Sequence, residues 1–358
     1  TMRTIDDLHD WGLEVRGVVV TRYQDQPAVR TFLNKLSRRG IKVYTHRPIQ
    51  GYPTELDTIV SRKGYGANSY IETEKPIVTG PGPNSGKMAT CLSQVYHEFQ
   101  RGVKAGYAKF ETFPVWNLPL KHPVNIAYEA ATADLADVNM VDPYHLEAYG
   151  KTAVNYNRDV EIFPVVKRIC ARIMEPEQLY QSPTDMGVNR VGFAISDDRV
   201  VREASIQEII RRYFRYMADY ATGTADKAAV DRVKLLMDDL GVTELDRKVV
   251  APARKAAKEA ETQGKGNNNV YCGAALELPD GTIVTGKNSP LLHAASSCIL
   301  NAIKLLAKLP DDLLMLSPEV IDSVSQLKKN VFKNREVSLD LAETLTALSV
   351  SVPTNSAA

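Results

Sequence analysis

The chain has 358 residues, 44% of them hydrophobic, and 44 Lys plus Arg stand against 43 Asp plus Glu for a formal net charge of +1. That length allows two or three domains with real cores, and the charge balance excludes a globally basic surface for nucleic acid or anionic membrane, so any anion specificity has to be local. Cys91, Cys170, Cys272 and Cys298 show no CxxC spacing or pairing logic, and no apolar run reaches the roughly 18 to 20 residues of a membrane helix, which reads as a reduced, cytoplasmic protein without signal peptide, membrane span or metal site.

TIDDLHDWG (4–12) reads as a helix ahead of the first strand, so the chain is expected to begin inside a larger unit. LEVRGVVVTRY (13–23) is β-branched and apolar, PAVRTFLNKLSRRG (27–40) has helical spacing and stops at Gly40, and IKVYTH (41–46) is the next strand. This is a βαβ unit of a parallel sheet. Gly51 and Pro53 punctuate the loop before a further short strand, DTIVS (57–61), and KPIV (75–78) is read as another.

TGPGPNSGKM (79–88) then opens the helical stretch MATCLSQVYHEFQRG. A glycine-rich turn between strand and helix leaves backbone N–H groups unpaired and convergent, the helix dipole adds partial positive charge, and Lys87 adds a full one. Gly82, Asn84, Ser85, Gly86, Lys87, Met88 and Thr90 are therefore candidate binding residues for the phosphate of a small molecule or nucleotide. The loop departs from the Walker A pattern, because Gly80 is one residue too far from Gly86 and Gly82 one too near. Met88 stands where a hydroxyl would complete a magnesium shell, which argues against magnesium and makes binding the better expectation than hydrolysis. Thr90 or Ser85 could take that role only in an unusual helix register. The plainer alternative is a structural Pro/Gly turn with a solvated lysine.

YAKFETF (107–113) reads as a further strand, and His122, between prolines in the loop after it, sits where an α/β sheet places its ligand crevice. It is a candidate acid or base, with a structural histidine as the alternative. From 126 to about 262 the pattern turns helical, in IAYEAATADLADV, LEAYGKTAV, VEIFPVVKRICARIM, SIQEIIRRYFRYMADYATG and AAVDRVKLLMDDLG. Asp142 ahead of Pro143 reads as a helix cap, and His145 and Glu147 have no metal spacing with another donor. Asn155, Asn157, Arg158 and Asp159 form one polar knot suited to orienting a sugar or amide, with Arg158 as a fork for carboxylate or phosphate. Asp159 is the second catalytic candidate, and capping of the following helix is its plainer role. Asp185, in the loop SPTDMGVNR (182–190), joins Asn155, Asn157 and Arg158 as a substrate-binding candidate. Arg211, Arg212 and Arg215 share a helix face whose acidic neighbours favour ion pairing over nucleic-acid binding.

GKGNNN (264–269) reads as a flexible linker, VYCGAALELPDGTIVTG (270–286) as a hairpin turning at Asp280-Gly281, and SPLLHAASSCILNAIKLLAKL (289–309) as a helix ended by Pro310. The segments after it lack the turn signals of a finished sheet, so more chain is expected beyond this end too. The hairpin and helix look like the core of a cytidine-deaminase-like fold. That chemistry needs a Glu two residues after the metal-binding His and a downstream PCxxC. His293 is followed by Ala294 and Ala295, and no PCxxC exists, so the expectation is a deaminase-shaped domain without deaminase catalysis.

KVYTHRPIQGYP, TGPGPNSGKMATCLSQVYHEF, GYAKFETFPVWNLPLKHPVNIAYEAATADL, VDPYHLEAYGKTAVNYNRDVEIFPV, SPTDMGVN and HAASSCILNAIK together closely resemble the bacterial family described as domain of unknown function 1846, over nearly the whole chain. The resemblance implies members longer at both ends and a multidomain α/β protein: a parallel-sheet, P-loop-like N-terminal domain, a helical middle and a small deaminase-like C-terminal domain. It assigns no activity. An ATP-dependent peptidase label carried by some members finds no protease constellation here. The expected domains are 1–125, 126–262 and 263–358. The expected function is binding of a small phosphorylated ligand or nucleotide, with no nucleic-acid or membrane partner and with homo-oligomers in view. The alternative is a noncatalytic assembly or sensor protein.

Overall fold

The computed structural model describes residues 2–74, 76–80, 82, 85–110, 114–176, 179–353 and 355. About half of the chain is helical, the strands are short, and among the described residues they pair two by two into small sheets. The chain divides into two compact units, 1–202 and 203–358. None of the helices is long and apolar enough to cross a membrane among the described residues.

The first unit runs α1 (Met2–Asp10), β1 (Val18–Val20), α2 (Pro27–Arg38), β2 (Val43–Thr45), α3 (Leu56–Ile59), α4 (Lys87–Gln100), β3 (Lys109–Phe110), α5 (Pro123–Ala131), β4 (Asn139–Val141), α6 (Pro143–Tyr149), β5 (Val154–Tyr156), α7 (Asn157–Ile173), α8 (Pro183–Met186), β6 (Gly187–Val188) and α9 (Val191–Ala194). The expected βαβ unit is present, with β1 and β2 parallel in the register Val18 to Val43 and α2 ending before Gly40, whose φ of +71° suits glycine. β3 and β6 are also parallel, while β4 and β5 are antiparallel.

Three expected elements differ. DTIVS is not a strand: the Glu55 carbonyl accepts from the N–H groups of Thr58 and Ile59 and the Leu56 carbonyl from that of Val60, which winds the chain into the single turn α3. The described part of KPIV carries no strand, since Pro76 lacks a donor and Ile77 is 83% exposed with no ladder partner. LEAYGKTAV is helical only to Tyr149, because Gly150 at φ +65° stops α6 and the β-branched residues beyond it enter β5. The middle of the chain therefore holds strands as well as helices. Glu111 to Phe113 of the expected strand 107–113 lie outside the described residues.

The core of this unit joins Ile59 of α3, Leu92, Val95 and Tyr96 of α4, Phe163, Val166 and Ile169 of α7, and Met186 of α8. An extended segment, 68–72, runs beside α4 with its backbone held by side chains instead of a neighbouring strand. Gln94 bonds both the N–H and the carbonyl of Ile71, His97 Nε2 donates to Asn68 O at 2.8 Å, and His46 Nε2 donates to Ser69 O at 3.0 Å. Buried backbone groups need such partners.

The second unit opens with α10 (Asp198–Ala221, its first turn counted in the first unit), then α11 (Lys227–Leu240), α12 (Val250–Thr262), β7 (Gly273–Glu277), β8 (Ile283–Lys287), α13 (Ala294–Ala307), α14 (Pro318–Asn330) and α15 (Leu341–Ser351). On α10, Arg211 and Arg212 pair with Glu208, and Arg215 with Asp219. GKGNNN is no loose linker: Asn267 and Val270 exchange backbone hydrogen bonds across Asn268 and Asn269, both left-handed, as in a two-residue turn. β7 and β8 form the expected antiparallel hairpin. Gly273 and Gly286 fall on opposite faces of it, since Gly273 pairs with Lys287 and Gly286 with Ala274. A Cβ at Gly273 would lie 2.1 Å from Ala253 O of α12, and one at Gly286 would lie 2.2 Å from Cys298 N of α13. Two glycines thus let two helix backbones close onto a two-stranded sheet, one on each face.

His46 carries a pH dependence for the first unit. It is 4% exposed, and burial holds its imidazole pKa below the ordinary 6.5, against the opposing pull of the Ser69 carbonyl. Below that ordinary value the unfolded chain takes up a proton that the folded chain refuses, so this contribution is complete above it and is lost as pH falls. Melting temperatures taken from about pH 7.5 down to about pH 5 should decline for the wild type and decline less for His46→Gln. Equal slopes for the two proteins would show that His46 is not the group being titrated.

Candidate functional site

The glycine loop is anchored by a residue from far upstream. Thr21, just past β1, donates its hydroxyl to Ser85 O at 3.0 Å. Gly86, the N-cap of α4, has φ +89°, and a Cβ there would lie 2.8 Å from Thr21 Cγ2, so both its conformation and its packing require glycine. No side chain caps α4, and the N–H groups of Lys87, Met88 and Ala89 meet no acceptor among the described residues. Lys87 curls back over the loop and donates to Gly82 O at 2.7 Å and Ser85 Oγ at 3.2 Å. Its ammonium has no carboxylate partner among the described residues, so a full positive charge rests on neutral oxygens beside three free amides. Met88 packs against the core, and Thr90 is buried, 2% exposed. Asn84 lies outside the described residues. Cys91 is no nucleophile for the loop, because burial pushes its thiol up to about 11.

The polar knot at 155–159 fans apart where β5 passes into α7. Asn157 Oδ1 accepts from Val138 N at 3.0 Å. Arg158 forks onto Asp137 at 2.5 and 2.8 Å, a carboxylate 1% exposed, which raises the guanidinium pKa further. Asp159 pairs with Lys109 of β3, whose ammonium also meets the Tyr156 hydroxyl. Asn155 alone turns the other way, its Nδ2 3.4 Å from Thr184 Oγ1. Asp185 completes a capping box with Ser182 at the start of α8 and accepts from the Tyr149 hydroxyl at 2.9 Å. Asp142, fully buried, caps α6 through Tyr144 N and His145 N, as expected, and also accepts from Thr184 N and Thr184 Oγ1.

His122 is the N-cap of α5. Its Nδ1 accepts from Val124 N at 3.2 Å, which leaves the proton on Nε2 to face Asp198 Oδ1 at 2.8 Å. Arg202 first, and His122 second, hold the Asp198 carboxyl below its usual range. Among the described residues no hydrogen bond or ion pair joins His122 or the 155–159 knot to loop residues 82 to 90. The structure thus assembles the loop from Thr21, Ser85, Gly86 and Lys87 and distributes the other candidates over separate contacts. Thr21, Asp137 and Lys109 escape sequence reasoning because their partners lie 64, 21 and 50 positions away with no motif between.

Fold and loop define a mixed α/β protein with small sheets and a glycine turn that starts a buried helix. Residues 1–241 match the family model "Domain of unknown function DUF1846, N-terminal" and residues 245–358 match "Domain of unknown function DUF1846, C-terminal". The chain is 58% identical over 357 residues to a UPF0371 protein of Clostridium botulinum. It is 56% identical over 356 residues to one from Clostridioides difficile and 56% identical over 359 residues to one from Fusobacterium nucleatum. Each alignment covers 99% of this chain and 71% of the relative. The chain belongs to the DUF1846 family, as its motifs indicated.

The Arg158 to Asp137 pair is testable as a structural bond. Arg158→Met leaves the Asp137 carboxylate buried without its counter-charge, and urea denaturation should show a loss of about 3 kcal/mol. A loss under about 0.5 kcal/mol, the size of a surface pair, would mean that Asp137 finds water or another donor.

Proposed function

We propose that the glycine loop binds the phosphate of a small phosphorylated molecule or nucleotide, with the amides of Lys87, Met88 and Ala89 and the Lys87 ammonium as its donors. The observation that carries the reading is the Lys87 ammonium folded over the loop onto Gly82 O and Ser85 Oγ, charged and without a carboxylate among the described residues. A phosphate oxygen replacing Gly82 O would convert a neutral contact into a charge-assisted one, the stronger kind. Helix-terminal amides and the dipole add to the same field. Met88 supplies no oxygen for magnesium, so the reading is of binding, and hydrolysis finds no support in the loop. In this reading residues 1–125 form a P-loop-like domain, 126–262 a mainly helical domain, and 263–358 a deaminase-like domain without the catalytic Glu.

Isothermal titration of ATP, GTP and sugar phosphates into the wild type and Lys87→Ala tests this. Binding should weaken by about tenfold or more in the variant, the scale of one charge-assisted hydrogen bond. Equal affinities would remove Lys87 from the site.

A second reading, a noncatalytic assembly protein, is favoured by Leu305, Leu306 and Leu314 of the second unit, which are 51%, 64% and 66% exposed. Solution mass decides it. An oligomer in the wild type that dissociates in Leu306→Glu would support assembly through this surface, and a monomeric wild type would end the reading.

A further inference from the structure

Residues 68–74 cross between β2 and α4 without joining a sheet, and among the described residues no backbone hydrogen bond ties 69–72 to a neighbouring strand. Side chains from both sides hold the segment instead. Gln94 bonds both backbone groups of Ile71, the Tyr44 hydroxyl accepts from Glu72 N at 3.3 Å, and Asn68 Oδ1 accepts from Arg47 N at 2.9 Å. Two successive carbonyls go to two histidines from different elements, Asn68 O to His97 of α4 and Ser69 O to His46 just after β2. Of these seven residues only Asn68 and Ile71 are buried, at 4% and 7% exposed. A stretch with one buried apolar side chain and no ladder opens locally at far lower cost than the whole unit.

The histidines make that opening sensitive to acid. His46 is 4% exposed, and no carboxylate lies within ion-pair reach of it among the described residues. Around it, Glu98 of α4 accepts from the Tyr70 hydroxyl and Gln94 Nε2, Arg101 lies over the Tyr70 ring at 4.4 Å, and Glu72 pairs with Lys42, while Tyr44 and Arg47 are its near neighbours in the chain. The ionisable group that acts on it from another element is His97, and a charge there opposes a second one on His46. Burial first, and His97 second to it in the same direction, hold the His46 imidazole below its ordinary 6.5 against the pull of the Ser69 carbonyl. Once the segment lifts away and water reaches the ring, that restraint is gone. The closed form therefore refuses a proton that the open form accepts, so closure is complete above the ordinary value and weakens as pH falls below it. We propose that residues 68–74 are an acid-released strap, fastened at neutral pH by His46 and His97 and let go when His46 takes up a proton. The chain runs on from the strap to the glycine loop, so release frees the lead into that loop and lowers its affinity in acid. That last step rests on the phosphate reading above, and the strap itself does not.

Hydrogen exchange of the ligand-free chain, corrected for intrinsic chemistry, tests the strap at the amides of Ile71 and Glu72, both bonded to side chains. Between about pH 7.5 and about pH 5 their protection should fall, by up to about tenfold per pH unit for one proton, while the amides of α4 and α7 keep theirs. His46→Gln, whose amide can still donate to Ser69 O but does not titrate, should hold strap protection across the range. His97→Gln should begin release at higher pH, since it removes the opposing charge. The proposal is overturned if the wild type keeps strap protection down to about pH 5, if strap and helices lose it together, or if folded His46→Gln opens as the wild type does. Titration of ATP at both pH values then separates the two readings, because the loss of affinity in acid should be larger for the wild type than for His46→Gln. Equal losses beside a released strap would detach the strap from the loop. Absence of binding at either pH would end the phosphate reading and leave the strap standing.

Discussion

A single hydroxyl holds the glycine loop against the end of a strand, and the placement of α4 follows from it. Thr21 reaches Ser85 O at 3.0 Å and presses so near Gly86 that no Cβ fits there. With that contact made, the left-handed Gly86 directs the chain into α4, whose far side enters the core through Leu92, Val95 and Tyr96. The same helix then fastens segment 68–72 through Gln94 and His97. One end of α4 thus keeps its amides free while the rest of it is fixed by packing and by side-chain bonds to backbone. A donor array held this way loses little freedom when an anion arrives, and that is the condition under which a few amides bind usefully.

The elements legible in the sequence were those whose signals are local. The helix of α2 has helical spacing and a glycine stop, α6 has Asp142 and Pro143 at its start, and the hairpin has Asp280-Gly281 at its turn. The misread elements depend on partners instead. DTIVS has strand composition but takes its conformation from the Glu55 and Leu56 carbonyls, and the described part of KPIV has strand composition but no neighbour among the described residues. β4, hidden inside a stretch of helical character, exists because β5 lies antiparallel to it. Three-residue strands of this kind carry too little periodicity to be seen alone.

The polar knot shows the same limit at the level of a site. Adjacent positions in sequence suggest one cluster, but Asn155 belongs to a strand and Asn157 to the first turn of a helix. Where the period changes from two residues to 3.6, neighbours point in different directions. Asn157, Arg158 and Asp159 go to Val138, Asp137 and Lys109, and Asn155 goes to Thr184. Sequence therefore shows that these residues are polar and adjacent but not the partners that decide what each one does.

Those partners also separate the candidate residues by what becomes of their charge. Arg158, Asp159 and Asp142 each meet an opposite charge or a full set of donors, so their charge is consumed where it arises. Among the described residues Lys87 is met by neutral oxygens only, the difference on which the proposed anion site rests. Asp142 has the opposite character, since its carboxylate faces the starts of α6 and α8 and is filled by their donors. Asp142 draws α6 and α8 together and in doing so sets Thr184 beside Asn155. Charge is thus used up at Asp142 and in the Arg158 and Asp159 pairs, while among the described residues the Lys87 ammonium meets neutral oxygens alone.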